Sequence, residues 1–105
     1  MTLRKLNSAN FDEIIYDQGK QCLIVFTRKT CYVCQSVVPI IEELQPNYQN
    51  KCGFYYVDVE EENGLFHRFS FKGVPQILFF NGGEYQGKLA GKVDESQIED
   101  KLKEL

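Results

Sequence analysis

The stretch Cys22-Leu23-Ile24-Val25-Phe26-Thr27-Arg28-Lys29-Thr30-Cys31-Tyr32-Val33-Cys34 is an apolar run followed by a short basic segment and a Cys-x-x-Cys pair. Cys22 to Phe26 has no polar face, the pattern of a central strand covered on both sides. It therefore delivers the cysteines just beyond a strand's C-terminal end. After Cys34, the residues Val37, Val38, Ile40, Ile41 and Leu44 recur at helical spacing. This predicts an amphipathic helix that begins at or near Cys31 and fades before Asn47. Pro39 falls inside it and should kink it.

Working outward toward the N-terminus, Leu3 to Leu6 suits a short strand. Asn10 with Glu13 three residues on resembles a capping box, opening a helix with Phe11, Ile14 and Ile15 inward and Gly19 at its end. Toward the C-terminus, Phe54 to Val59 reads as a second buried strand, Gly64 to Phe69 as a short helix and Gln76 to Phe80 as a third strand. Asn81-Gly82-Gly83 marks a tight hairpin into Glu84 to Ala90. Asp94 with Gln97 forms a second capping box, ahead of a terminal helix carrying Ile98, Leu102 and Leu105 on one stripe. The order predicts an α/β three-layer sandwich, a central mixed sheet flanked by helices on both faces. With no repeat and no linker, residues 1–105 are expected to form a single domain.

Composition narrows the function. The 105 residues are 43% hydrophobic and 26% charged, an ordinary globular balance that argues against disorder. A formal net charge of -3 with scattered Lys and Arg offers no footprint for nucleic acid or an anionic membrane. Met1 to Asn10 turns polar after Arg4 and Lys5 instead of entering the apolar core of a signal peptide, and the apolar runs are too short to span a bilayer. The expected location is cytoplasmic.

A compartment that keeps ordinary thiols reduced makes a structural disulfide framework a poor account of four cysteines. The Cys31/Cys34 spacing points to catalysis or metal binding, and isolated Cys22 and Cys52 to packing. A sulfur attacks only as thiolate, which the unpaired N–H groups and partial positive charge of a helix N-terminus favour; Arg28 and Lys29 add to the effect. Cys34, one turn further in, is placed to attack a mixed disulfide formed at Cys31 and release the reduced substrate. Two rivals stand beside this reading. A closed zinc site needs four ligands, so only a dimer pooling two Cys-x-x-Cys pairs would complete one, or hold an iron-sulfur cluster. The other is a non-catalytic module that binds extended peptides.

From the strand Cys22 to Phe26, through Thr30-Cys31-Tyr32-Val33-Cys34 and Pro39, to Gly73-Val74-Pro75, Gly82 and Gly91, the chain resembles the thioredoxin family along essentially its whole length. The resemblance implies a protein-disulfide reductase in which Cys31 is the nucleophile and Cys34 the resolving cysteine. It implies that Pro75 is cis against the cysteine pair, that the backbone of Val74 pairs with an extended substrate segment, and that Gly91 keeps the docking surface flat. Thr30 and Tyr32 join them as substrate-binding candidates. The implied partners are disulfide-containing proteins and a thioredoxin reductase as electron donor. The protein would act as a monomer with no cofactor and no metal.

The sequence departs from the family pattern in two places. Thr30 stands for a tryptophan, and Tyr32 and Val33 for glycine and proline, which bears on potential and substrate choice; proteins of this fold span about -270 to -120 mV. The buried aspartate six residues before the first cysteine corresponds to Val25, and its lysine partner to Tyr56. Their joint absence avoids stranding one buried charge. It also removes the usual proton acceptor for Cys34 and predicts slower or more pH-dependent resolution, with Glu60, Tyr56 or water as replacements. Cys22 is expected to pack as a small apolar residue. Cys52 is given the same role, with regulatory oxidation as its alternative. His67 is expected on an exposed helix face, and Glu60-Glu61-Glu62 in a solvated loop.

Overall fold

The computed structural model describes residues 2–105. Five strands, β1 (Arg4–Lys5), β2 (Cys22–Thr27), β3 (Gly53–Asp58), β4 (Gln76–Asn81) and β5 (Glu84–Ala90), form one sheet in the order β1-β3-β2-β4-β5. The first three in that order run parallel, β4 runs antiparallel to β2, and β5 runs antiparallel to β4. The sheet is mixed, as expected. All six residues of β2 are buried, because it lies at the centre with helices over both faces.

Side-chain alternation divides the core in two. Leu23 and Val25 of β2, Phe54 of β3, and Ile77 and Phe79 of β4 face α1 (Tyr32–Leu44) and α3 (Glu95–Lys103), meeting Val37, Ile41, Ile98 and Leu102. Cys22, Ile24, Phe26, Val57, Leu78 and Phe80 face the opposite way, toward Phe11, Ile14 and Ile15 and toward Leu65 of α2 (Asn63–Arg68). Phe26 is the hub of the second layer, with Phe11, Phe69 and Phe71 edge-on to its ring at 5.1 to 6.3 Å. Edge-to-face packing adds to what aromatic burial alone contributes.

Local chemistry sets most boundaries. In the hairpin, Gly82 and Gly83 both have positive φ, +66° and +78°, as a two-residue turn between twisted strands requires. A Cβ on Gly83 would also come within 2.8 Å of the Tyr16 carbonyl. Asp94 and Gln97 form the expected reciprocal capping box.

The first capping box is a correction. Its partners are Asn7 and Asn10, not Asn10 and Glu13. The Asn7 side chain accepts the Ala9 and Asn10 N–H groups, and Asn10 Oδ1 accepts the Asn7 N–H at 2.8 Å. Starting early, the helix ends in a π-helical turn, Glu13–Asp17, with Gln18 N–H reaching Glu13 O before Gly19 closes it. Periodicity also gave no warning of the 3-10 turn Gln45–Tyr48 or of the bulge between Phe79 and Phe80 against β5. Among the described residues no helix is long and apolar enough to cross a membrane.

Candidate functional site

Cys31 sits at the seam between β2 and α1. Its backbone is extended, φ -85° and ψ 115°, which makes it the N-cap of α1. The Sγ atom takes the place that a serine or aspartate oxygen fills in an ordinary cap. It accepts the N–H of Cys34 at 3.1 Å. One of the helix's orphan donors is thus committed to sulfur, a contact that strengthens when the sulfur is charged. The connection Arg28-Lys29-Thr30 is exposed and leaves Cys31 partly open, whereas Cys34 is only 2% exposed.

The second chain segment at the site comes from the start of β4. The Val74–Pro75 peptide bond is cis, and Cys31 Sγ lies 3.7 Å from the Val74 carbonyl oxygen, to which the thiol donates. Gly91, at φ +73°, donates its N–H to the Pro75 carbonyl at 3.0 Å. The positive φ and the absence of a side chain let the turn after β5 lie flat beside the proline. Cys31, Cys34, Val74, Pro75 and Gly91 are therefore contiguous. Thr30 and Tyr32 flank Cys31 in the chain and point outward, Tyr32 with 87% of its surface exposed. An aromatic ring so exposed contributes little to this chain's own core.

Burial pushes the Cys34 thiol above its ordinary pKa, and its hydrogen bond with Cys31 acts in the same direction. The Thr27 hydroxyl and the Arg28 backbone oppose this. Behind Cys34 lies an open cleft of about 360 Å³, with Thr27, Val38, Tyr56 and Asp58 in its walls and Lys5 and Lys29 at its margin. Val25 and Tyr56 are register partners across β2 and β3, as are Thr27 and Asp58. Because alternate residues share a face, all four are on the α1 side.

The sequence reading named Tyr56 and Glu60 as replacements for the missing acid. The structure puts Tyr56 on the cleft and Glu60 on the surface. It also brings in Asp58 and Thr27, which the reading passed over. Stepping two residues along each strand from Val25 and Tyr56 would have found both.

The remaining cysteines lie at the other end of β2 and β3. Cys22 is buried in the aromatic layer and Cys52 is partly buried against the α1 layer. Burial pushes both thiols up to about 12. His67 is exposed. No three His, Cys, Asp or Glu side chains converge into a metal-sized cluster among the described residues.

A sequence profile described as thioredoxin matches residues 2–104. The chain is 31% identical over 91 residues to the thioredoxin of Staphylococcus haemolyticus, covering 87% of this chain and 86% of that protein. It is 27% identical to the thioredoxin of Buchnera aphidicola subsp. Schizaphis graminum, covering 95% and 93%. Against the chloroplast M-type thioredoxin of Spinacia oleracea the identity is 24%, covering 95% of this chain. The chain spans about half the length of that plant relative, 55%. The α/β sandwich, its mixed five-stranded sheet and a profile match along nearly the whole length lead to one conclusion: the chain belongs to the thioredoxin family.

Proposed function

We propose that this chain is a thiol-disulfide oxidoreductase, a protein-disulfide reductase working through Cys31 and Cys34 as a single domain over residues 1–105. The observation that carries the reading is the cap contact. Cys31 Sγ, partly open to solvent, accepts the Cys34 N–H at 3.1 Å, a helix-cap contact of the kind that strengthens when the sulfur carries charge, and the second sulfur stands one turn away.

In the proposed cycle the Cys31 thiolate attacks one sulfur of a substrate disulfide. The Cys31–substrate bond forms as the substrate S–S bond breaks, and the leaving sulfur takes a proton. Cys34 then loses its proton and attacks Cys31 Sγ. A Cys31–Cys34 disulfide forms, the substrate's second sulfur departs, and the substrate has gained two electrons. A dithiol donor, in the family setting a thioredoxin reductase, restores the pair. Val74 and Pro75 orient an extended substrate backbone, Gly91 leaves room for it, and Thr30 and Tyr32 meet the partner's side chains. The cytoplasm, where thiols are held reduced, suits this direction of exchange.

Equilibration against a glutathione series, with Cys34→Ser as control, tests the reading. The expected result is one two-electron couple, absent from the control, near about -270 mV. Failure to form the intramolecular disulfide in any glutathione mixture would overturn the proposal in favour of a peptide-binding or metal-pooling role.

A further inference from the structure

Among the described residues three polar side chains are buried: Thr27, Asp58 and Gln76. Burying a carboxylate is costly unless its surroundings compensate. Gln76 is fully engaged, donating to the Gly73 carbonyl at 3.1 Å and accepting from Lys88 Nζ at 3.0 Å. Asp58 is engaged on one side only, where its Oδ1 accepts the Glu60 N–H at 2.9 Å. Its other side belongs to the cleft behind Cys34. Asp58 is the sole carboxylate among that cleft's lining residues, and Thr27, its register partner, shares the cleft wall with Cys34, where its hydroxyl favours the thiolate. The cavity is open and, at about 360 Å³, has room for several waters.

We propose that Asp58, working through the Thr27 hydroxyl and water in this cleft, takes the proton from Cys34 when Cys34 resolves the mixed disulfide at Cys31. The inference rests on the exchange reading above. In the step, the Cys34 S–H proton passes to the Asp58 carboxylate and the electron pair stays on sulfur. That thiolate attacks Cys31 Sγ, the Cys31–substrate bond breaks, and the departing substrate thiolate is protonated from Asp58 or solvent. No other oxidant or reductant is needed. Three basic side chains and a tyrosine line the cleft together with Asp58. Lys5 enters from β1, Tyr56 from β3, and Arg28 and Lys29 from the connection ahead of α1. Lys5 feels the Asp58 charge while it is ion-paired with exposed Glu61, which also lies 4.0 Å from Lys29. The acid sits two residues along the strand pair from Val25 and Tyr56, at the end of the strands that opens onto the cleft.

A single turnover of the reduced protein with dithiobis-nitrobenzoate separates the steps. The first nitrothiobenzoate release reports attack by Cys31, and the second reports resolution by Cys34. Asp58→Asn keeps the oxygen that accepts from Glu60 and loses the base. The expected result is an unchanged first phase and a second phase slowed about a hundredfold at neutral pH, the low end of what a general base contributes. In the variant the second phase should also climb with pH well beyond the point where the parent levels off. A purely structural role for Asp58 would not reshape that profile. An unchanged second phase, an unchanged profile, or equal slowing of both phases would overturn the proposal. Thr27→Val decides the matter if Asp58→Asn does not fold: its second phase should slow about tenfold with its profile moved up, and an unaltered second phase would count against the relay. Absence of any second release from the unsubstituted protein would sink the exchange reading, and the relay with it.

Discussion

Strands β2 and β3 carry a cysteine environment at each end, and the two ends treat the same side chain in opposite ways. At the C-terminal end of β2, Cys31 caps a helix, accepts an N–H and is partly open, with Cys34 directly behind it. At the N-terminal end, Cys22 and Cys52 lie close in sequence register, since Cys22 pairs with Gly53. Yet register partners share a face and neighbours alternate, so Cys22 points into the aromatic layer and Cys52 toward the other. One pair is held together by a helix turn, and the other is held apart by the sheet itself. Reactivity follows from backbone geometry and solvent access, not from the presence of two thiols.

The sharpest way to break this comparison is by substitution at the helix end. Cys31→Ser should reduce dithiol-dependent protein-disulfide reduction to background with no mixed disulfide formed, and Cys34→Ser should trap the mixed disulfide. The double variant Cys22→Ala/Cys52→Ala should keep turnover within about twofold, because neither side chain reaches the site. Loss of turnover in that variant would show that the strand-end cysteines take part in exchange.

Labelling at neutral pH is the next test. With their thiols raised from 9.0 to about 12, Cys22 and Cys52 hold on the order of a thousandfold less thiolate than an ordinary cysteine. Iodoacetamide followed by peptide mapping should modify Cys31 first and leave Cys22 and Cys52 unmodified until the chain unfolds. Prompt labelling of Cys52 in the folded protein would instead revive an oxidation role for it.

Stability against pH carries the same contrast in smaller amounts. The folded state keeps the Cys22 and Cys52 protons where the unfolded chain loses them. Their stabilising contribution is therefore complete below about pH 9 and drains away as pH rises toward about 12. Each thiol adds a slope of about 1.4 kcal/mol per pH unit inside that window, so urea titrations of Cys22→Ala should show a shallower alkaline decline. The smallest effect separates the two thiols from each other at neutral pH. Cys22→Ser places a hydroxyl in the aromatic layer and should cost about 1–3 kcal/mol. Cys52→Ser, partly solvated, should stay within about 0.5 kcal/mol. Equal costs would mean that the two environments are alike after all.

Much of the scaffold was legible because each signal was local. The apolar run of β2, the spacing after Cys34, the paired glycines of the hairpin and the Asp94/Gln97 box all act within a few residues of themselves. The Asn10/Glu13 box misled because Asn7 competes for the same cap three residues earlier, and nothing in a linear pattern ranks two such candidates. The cysteine pair and Pro75 were legible through the family resemblance. Thr27 and Asp58 were not: Asp58 lay unremarked inside the expected strand Phe54 to Val59, Thr27 followed the apolar run without a role, and only β2–β3 register makes them neighbours.

The family resemblance marked the missing charge pair at Val25 and Tyr56, and the sequence by itself determined the helix that starts at a cysteine and the strand that leads to it. These depend on periodicity, capping and residue identity, which are properties of short segments. Tertiary structure alone decided that Val74 O lies 3.7 Å from Cys31, that Gly91 lies beside Pro75, that Cys22 and Cys52 face apart, and that the buried carboxylate opens onto the Cys34 cleft. The reason is physical. Burial and proximity between residues 31, 58, 75 and 91 arise only when parallel and antiparallel pairings bring distant segments to one end of the sheet, and no local propensity encodes a contact between segments that far apart.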